Sequence, residues 1–303
     1  MNSSLPDGFL LRRGDIEDLA AVTRILVDEE VAVRGSSEWG EPETRDWLHG
    51  LSGGGGELWI AEGDMPAGVL GIFSGETARG WIAVDPVFNG HGIGSSLVRH
   101  AETRAAAQGS ASLQLGAFAE NRAALELLAN AGYRDDRHFY RMSIELSAPP
   151  AEPQWPEGLT YTTFDPAEAR AVHEAVNDAF ADDHGHHPLP FEEWRRRRIE
   201  APDFDPTLWF IARDRNAIAG ICRCDAKRWG GGWVGALGVR KPWRRRGLGR
   251  ALLQQSFLEF YDRGERRVGL GVDTQNPSGA TRLYERAGMY VVAEDISFEK
   301  RLS

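Results

Sequence analysis

The run Val239-Arg240-Lys241-Pro242-Trp243-Arg244-Arg245-Arg246-Gly247-Leu248-Gly249-Arg250 joins a strand end, a turn stopped by proline, two spaced glycines and a helix start. Glycines let the backbone turn tightly and come close to a ligand. The free N–H groups of a first helical turn point outward, and the helix dipole adds partial positive charge. Such a place takes an anion and is best suited to a pyrophosphate. The arginines, Arg244, Arg245, Arg246 and Arg250, add charge-assisted hydrogen bonds to phosphate oxygens. Taken alone, a Gly-x-Gly before a helix is equally an ordinary helix N-terminus beside a solvated basic patch.

These residues need a strand that ends before the turn and a helix that starts after it, and the sequence meets that need twice. Near the midpoint, Ser147-Ala148-Pro149-Pro150-Ala151-Glu152-Pro153-Gln154-Trp155-Pro156 holds four prolines in ten residues. That is a stiff, extended segment that can join neither a helix nor a central strand. The two sides look alike. Each opens with a short strand, at 9–12 and 159–163, then a helix, from about Asp15 as a fit N-cap and from about Pro166 behind Asp165. Further strands follow at 58–61 and 68–73, and at 208–212 and 218–224. After the glycine turn come helices over 94–107 and 249–263, apolar strands over 112–118 and 267–272, an asparagine, a short helix and a glycine. Final strands run over 139–146 and 290–298. Val84 matches Val239, Gly92 matches Gly247, Gly94 matches Gly249 and Asn121 matches Asn276. This internal duplication predicts an α/β chain of two tandem domains, 1–146 and 157–303, joined by a linker at 147–156. Each domain is a mixed central sheet flanked by helices. The patch at 53–56 is a flexible glycine loop.

The spacing Arg244-x-x-Gly247-x-Gly249, after a strand and before a helix, resembles the acyl-coenzyme A pyrophosphate signature of the GNAT superfamily of N-acetyltransferases. The downstream run Asn276-Pro277-Ser278-Gly279-Ala280-Thr281-Arg282-Leu283-Tyr284-Glu285-Arg286-Ala287-Gly288-Met289 is similar to the asparagine-to-glycine segment of that superfamily. The resemblance covers nearly the whole chain as two GNAT-like domains, in plan like mycothiol synthase, with no sequence specific enough to claim that substrate. It implies acetyl transfer from acetyl-CoA to a small amine by direct attack in a ternary complex. It also implies that Asn276 contacts the pantetheine arm or holds the loop near it, and that Tyr284 lies beside the sulfur. The oxyanion donor of the family comes from the strand before the glycine loop, which makes Leu237 and Val239 the candidates. The chemistry gives a reason: a phenol with a pKa of about 10 can protonate a leaving thiolate, and a developing oxyanion needs a backbone N–H. As an isolated tyrosine, Tyr284 would simply be a core aromatic.

The copies are unequal. The first, Val84-Asp85-Pro86-Val87-Phe88-Asn89-Gly90-His91-Gly92-Ile93-Gly94, keeps Gly92 and Gly94. It has Asn89 where the pattern takes Gln or Arg, and it lacks the basic cluster. Counting back from Gly132 and Gly288, Leu128 takes the place of Tyr284, and leucine cannot donate a proton. The expectation is a catalytic C-terminal domain beside a degenerate N-terminal one that is structural or binds coenzyme A without turnover.

In this superfamily the substrate pocket is built largely from the first two helices and the loop between them. That points to Asp182, Asp183 and His184, in a stretch rich in carboxylates, histidines and aromatics that suits a polar group, a cationic one included. The same stretch also reads as a polar surface loop whose Pro190, Glu192 and Glu193 start a helix. Asp273, at the end of the strand before Asn276, is a candidate general base acting through water, with Asp183 and His184 as rivals. His184, His186 and His187 lack the helical zinc spacing and have no cysteine set nearby, so no metal is expected. Arg195, Arg196, Arg197 and Arg198 read as a solvated helix face. Cys222 reads as a buried strand residue without a His/Asp arrangement for covalent catalysis.

The 303 residues are 42% hydrophobic and 26% charged, which is globular composition at a length for two domains. A net charge of −10 works against nucleic-acid binding and for a cationic substrate. Cys222 and Cys224 alternate along one strand face, too close for an unstrained bridge, which fits a reducing cytoplasm. No apolar run approaches the ~20 residues of a membrane span, and the opening residues have no secretory pattern. A cytoplasmic enzyme with a small-molecule amine acceptor, and with no nucleic-acid or membrane partner, is therefore expected. A non-catalytic acyl-coenzyme A sensor is the alternative from another class. Nucleotide binding is weaker: there is no Gly-x-x-x-x-Gly-Lys-Ser/Thr run, and the glycine turn comes late in each half.

Overall fold

The computed structural model describes residues 5–183 and 188–302. The chain forms two compact units, one running to Phe139 and including the residues from Ala293 on, the other spanning Tyr140–Val292. The first contains β1 (Leu10–Gly14), α1 (Leu19–Arg34), α2 (Glu41–Gly53), β2 (Glu57–Glu62), β3 (Pro66–Phe73), β4 (Thr77–Val84), α3 (Ile93–Ala107), β5 (Ser112–Phe118), α4 (Arg122–Asn130) and the start of β6 (Arg134–Glu145). The second contains the rest of β6, then β7 (Leu159–Thr163), α5 (Ala169–Phe180), α6 (Phe191–Arg198), β8 (Trp209–Asp214), β9 (Ala217–Arg228), β10 (Gly231–Val239), α7 (Leu248–Asp262), β11 (Arg267–Asp273), α8 (Ala280–Arg286) and the start of β12 (Tyr290–Arg301).

Each unit is a mixed sheet. In the first, β1 to β5 lie in order, antiparallel except for the parallel pair β4/β5. In the second, β7 to β11 lie in order, with β10/β11 the parallel pair. The division expected at 147–156 differs from these units in one respect. The last part of β12 pairs antiparallel with β5, from Asp295↔Phe118 to Arg301↔Ser112, and so belongs to the first unit. The end of β6 lies beside β11, with Leu146 N–H donating to the Arg266 carbonyl at 2.7 Å. The physical reason is that β5 and β11 each have an edge of backbone donors and acceptors that must be paired. Each edge is closed by a strand encoded in the other half of the sequence. The proline-rich segment forms neither helix nor strand, and its Trp155 stacks on Tyr161 at 4.9 Å.

Helices cover both faces of each sheet. In the second unit a Cβ on Gly220 would meet Leu248 and Leu252 of α7, while one on Gly238 would meet Ala179 and Phe180 of α5. Side chains alternate along a strand, so these contacts assign the two faces. Phe210, Phe257, Phe260, Leu252 and Leu253 are buried there, each such side chain contributing roughly 1.5–3 kcal/mol of apolar burial. In the first unit α3 covers one face through Ile93 and Leu97, and α1 and α2 cover the other through Val22, Ile25 and Leu48.

Candidate active site

The parallel ladder of β10 with β11 stops at Val234↔Leu270, and β10 has a register shift between Val234 and Ala236 in its pairing with β9. Beyond that point β10 and β11 part. Arg240 N–H donates to the Ala219 carbonyl at 3.0 Å, so in this antiparallel ladder the amides of Leu237 and Val239 face away from β9, toward the gap. Both amides named as oxyanion donors therefore face away from β9.

Directly after β10 the chain makes the glycine turn. Gly247 has φ 86° and caps α7, and Arg245 also has a left-handed backbone at φ 62°. A non-glycine residue in that region is disfavoured by about 1–2 kcal/mol, and its amide joins its neighbours in a concave anion-binding arrangement. Among the described residues no protein acceptor is found for the N–H groups of residues 245–250. Arg245, Arg246 and Arg250 are exposed around this loop, whereas Leu248 anchors it by burying its side chain. Gly249 packs tightly: a Cβ there would lie 3.3 Å from the Leu283 side chain of α8, which would have to shift by a few tenths of an ångström.

Arg244 behaves differently from its expected role on a phosphate. Its guanidinium donates to the Val239 carbonyl (2.9 Å), the Ala179 carbonyl (2.8 Å) and the Asp182 carboxylate (3.1 Å). It ties the loop to the ends of β10 and α5. Asp182, expected on the substrate side, is held by Lys241 and Arg244, and those hydrogen bonds lower its pKa.

Tyr284 is buried in α8, and its hydroxyl has no hydrogen-bond partner among the described residues. Burial raises its pKa, with Cys222 and Asp183 adding to the effect, so the phenol holds its proton. Asp183 accepts from the Asn276 side-chain NH2 at 3.2 Å, and the Asn276 side-chain Oδ1 accepts from Ser278 N–H at 2.8 Å. Asn276 thus links its own loop to the end of α5 through Asp183. Asp273 Oδ1 accepts from Gln275 N–H at 2.8 Å and turns the chain after β11. Gly269 and Gly271 lie against the Trp233 ring, and by alternation Asp273 shares their face, the one covered by α5. His184 and the neighbouring His186 and His187 lie outside the described residues, and no metal-binding group of His, Cys, Asp and Glu occurs among those described. Cys222 and Cys224 are free, buried thiols with sulfurs 3.7 Å apart.

The first unit repeats the loop geometry without this chemistry. Gly90 and Gly92 are left-handed at φ 80°, matching Arg245 and Gly247, and Gly94 sits 3.1 Å from Leu127 as judged from its would-be Cβ. Val84 corresponds to Val239, and its N–H is accepted by the carboxyl of Glu29, which burial pushes up to about 8. Asn121 donates to the same carboxyl at 3.2 Å. Leu128 is buried where Tyr284 stands.

Sequence reasoning missed three residues. Glu29 sits on a helix face whose neighbours gave no chemical signal. Arg223, on β9, stands at the gap of the second unit, and Arg198, at the end of α6, feels its charge. Arg198 was expected on a solvated face; it is partly buried, under the charges of Arg223 and Arg228 of β9.

The sequence pattern of the acetyltransferase (GNAT) family matches residues 19–133 and 169–289. The mycothiol acetyltransferase of Thermobispora bispora is 31% identical over 250 residues, covering 80% of this chain and 83% of that protein. That of Salinispora arenicola is 30% identical over 320 residues, covering 99% of this chain and 100% of that protein. A crystal structure of a GCN5-related N-acetyltransferase from Sphaerobacter thermophilus matches with a TM-score of 0.84 at 33% identity, covering 99% of this chain and 97% of that one. A tandem GNAT protein from the clavulanic acid biosynthesis pathway shares the fold, with a TM-score of 0.75 at 17% identity over 97% and 99% of the two chains.

Proposed function

The chain belongs to the acetyltransferase (GNAT) family and is an acyltransferase, and on that premise we propose that its second unit transfers an acetyl group from acetyl-CoA to a small amine by direct attack in a ternary complex. One coincidence carries this reading: among the described residues, the open amides of residues 245–250, the gap-facing amides of Leu237 and Val239, and a Tyr284 hydroxyl without a partner all belong to one unit. Acetyl-CoA supplies an activated thioester and a thiolate leaving group. The donor set fits it. The amides of residues 245–250, flanked by Arg245, Arg246 and Arg250, bind the pyrophosphate. Gly247 and Gly249 let the backbone approach, and Arg244 and Asn276 hold the loops in place. Leu237 and Val239 donate N–H groups to the carbonyl oxygen as negative charge develops on it. Tyr284 holds a proton at its hydroxyl and gives it to the departing sulfur. Asp273, on the face opposite α7, receives the ammonium proton through water. Asp183 orders the wall beside Tyr284 and Asn276. In the first unit, Gly92 and Gly94 retain the turn, but Glu29 on the Val84 amide and Leu128 in place of tyrosine support a non-catalytic role.

The acceptor is read as a small molecule, and the place of action as the cytoplasm, where thiols such as Cys222 and Cys224 stay reduced. Among the described residues no helix is long and apolar enough to cross a membrane. The test is thiol release from acetyl-CoA across a panel of amines that includes unacetylated mycothiol, chosen from the names of the relatives. Release with at least one amine, abolished by Tyr284→Phe, is the expected result. Binding of acetyl-CoA with no release from any amine would favour a sensor instead.

A further inference from the structure

On the α5 face of the second unit, the charges of Arg197, Arg198, Arg223 and Arg228 act on one another beside two carboxylates, Asp225 and Glu193. Arg198 ends α6 and is partly buried; Arg223 is the neighbour whose charge weighs most on it, with Arg228 and Arg197 also repelling it and Asp225 attracting it. That repulsion, with burial, pushes the Arg198 guanidinium down to about 10. Arg197 donates to Glu193 at 2.5 Å and Arg223 to Asp225 at 2.7 Å. No hydrogen bond or ion pair to Arg198 occurs among the described residues. Asp225 positions Arg223, whose side chain is only 13% exposed. The positive excess is local, since the chain as a whole carries −10.

The location matters as much as the charge. A Cβ on Gly235 would fall 2.8 Å from Arg223 Cζ and 2.9 Å from Asp225 Oδ2. Gly235 lies in the irregular step of β10, next to Val234, where the ladder to β11 ends. Arg223 therefore borders the gap from the α5 face. The anion-binding loop and α7 belong to the other face, and Tyr284 packs with them beside Cys222, whose strand face is that of Gly220. A nucleophile must come from the side the acyl donor leaves open. Like charges held together away from water are unfavourable until an anion joins them. Guanidinium groups match the planar oxygens of carboxylate and phosphate.

We propose that the acceptor amine carries an anionic group, a carboxylate or a phosphate, and that Arg198 and Arg223 bind it so that the amine enters the gap at Gly235. The location of the reaction rests on the transfer reading above, whereas the anion site rests on the arginines themselves. Asp182 does not argue for a purely cationic acceptor, because its charge is committed to Lys241 and Arg244.

The test compares matched pairs on the full-length protein: glycine with glycinamide, and O-phosphoethanolamine with ethanolamine, as kcat/KM per free amine. The expected result is a preference of about tenfold or more for one anionic member. The pair that responds distinguishes carboxylate from phosphate. Arg198→Met should bring that ratio close to one, and Arg196→Met, on the exposed face of the same helix, should leave it in place. If Arg198→Met fails to fold, Arg198→Lys should keep the preference at reduced size. Equal use of both members, or preference for the neutral ones, overturns the proposal. If no amine supports thiol release, the transfer reading fails separately, and the anion site is judged by quenching of tryptophan fluorescence with N-acetylglycine, N-acetylglycinamide and inorganic phosphate. Saturable quenching by either anion, absent with the amide and lost in Arg198→Met, upholds the site; equal responses, or none, overturn it.

Discussion

In both units the strand before the glycine loop ends in a valine whose amide faces a gap, but the two amides meet different things. Val84 N–H meets the buried Glu29 carboxyl, itself held by Asn121. Counted from the capping aspartates Asp15 and Asp165, the residue in Glu29's place is Ala179, which leaves the Val239 amide open. The gap of the first unit is also shorter. Its ladder runs to Trp81↔Gly116 without a register shift in β3/β4, and the Trp81 ring lies against Gly116 and edge-on to Phe118 at 5.1 Å. The backbone path of the loop, by contrast, is common to both, with left-handed residues at 90 and 92 and at 245 and 247. The anion-binding turn is thus a property of the backbone, whereas turnover depends on which side chains reach the gap.

The largest effect should come from Tyr284→Phe, which is expected to lower kcat for thiol release by about 100-fold or more while the KM for acetyl-CoA changes less than about twofold. Adding Leu128→Tyr to that variant should restore nothing, because Glu29 still covers the Val84 amide; recovery of turnover would break the contrast between the units. Next, Glu29→Gln should alter the pH dependence of stability. Glu29 has its folded pKa raised from 4.5 to about 8, so the folded chain keeps a proton that the unfolded chain loses. Stability is therefore lost as pH rises through this window, at up to about 1.4 kcal/mol per pH unit. The glutamine variant should lack that loss in urea titrations at pH 5 and pH 8, and parallel curves would mean that Glu29 is not buried as a neutral group. Arg244→Glu should weaken acetyl-CoA binding about tenfold by calorimetry through the loss of the loop's tether, against less than about twofold for Asn89→Glu. Equal losses would make the two loops equivalent. The smallest effect is expected for Arg245→Gly, which should gain about 0.5–1 kcal/mol in urea stability by relieving a left-handed arginine, as Gly90 does in the first unit. It should at the same time weaken acetyl-CoA binding a few-fold.

Much of this was legible along the chain. The strand at Leu159–Thr163 and the strand at Ser112–Phe118 have the expected bounds, and the helices after both glycine loops begin within one residue of theirs. Tandem copies of one domain followed from the repeat of valine, glycines and asparagine, and the likeness to GNAT from the Arg244-x-x-Gly247-x-Gly249 spacing. Arg244 was found for its spacing, but its partners Ala179 and Asp182 lie some 60 residues earlier, and no local pattern announces them. Arg198 looked like one more charge in a run of four until α6 was set against β9. The exchange of β6 and β12 was equally hidden, because alternation along a strand tells which face is buried and not which edge it will pair with.

Proximity along the chain was enough to specify the turn, its glycines, the free amides of α7 and the contrast between Tyr284 and Leu128, since these depend on residue types only a few places apart. Folding alone decided what occupies each gap. Glu29 reaches Val84, Arg223 crosses Gly235 and the β12 strand closes β5 only when distant segments are brought to one sheet, where the need to pair backbone edges and buried charges selects among arrangements that the local pattern allows.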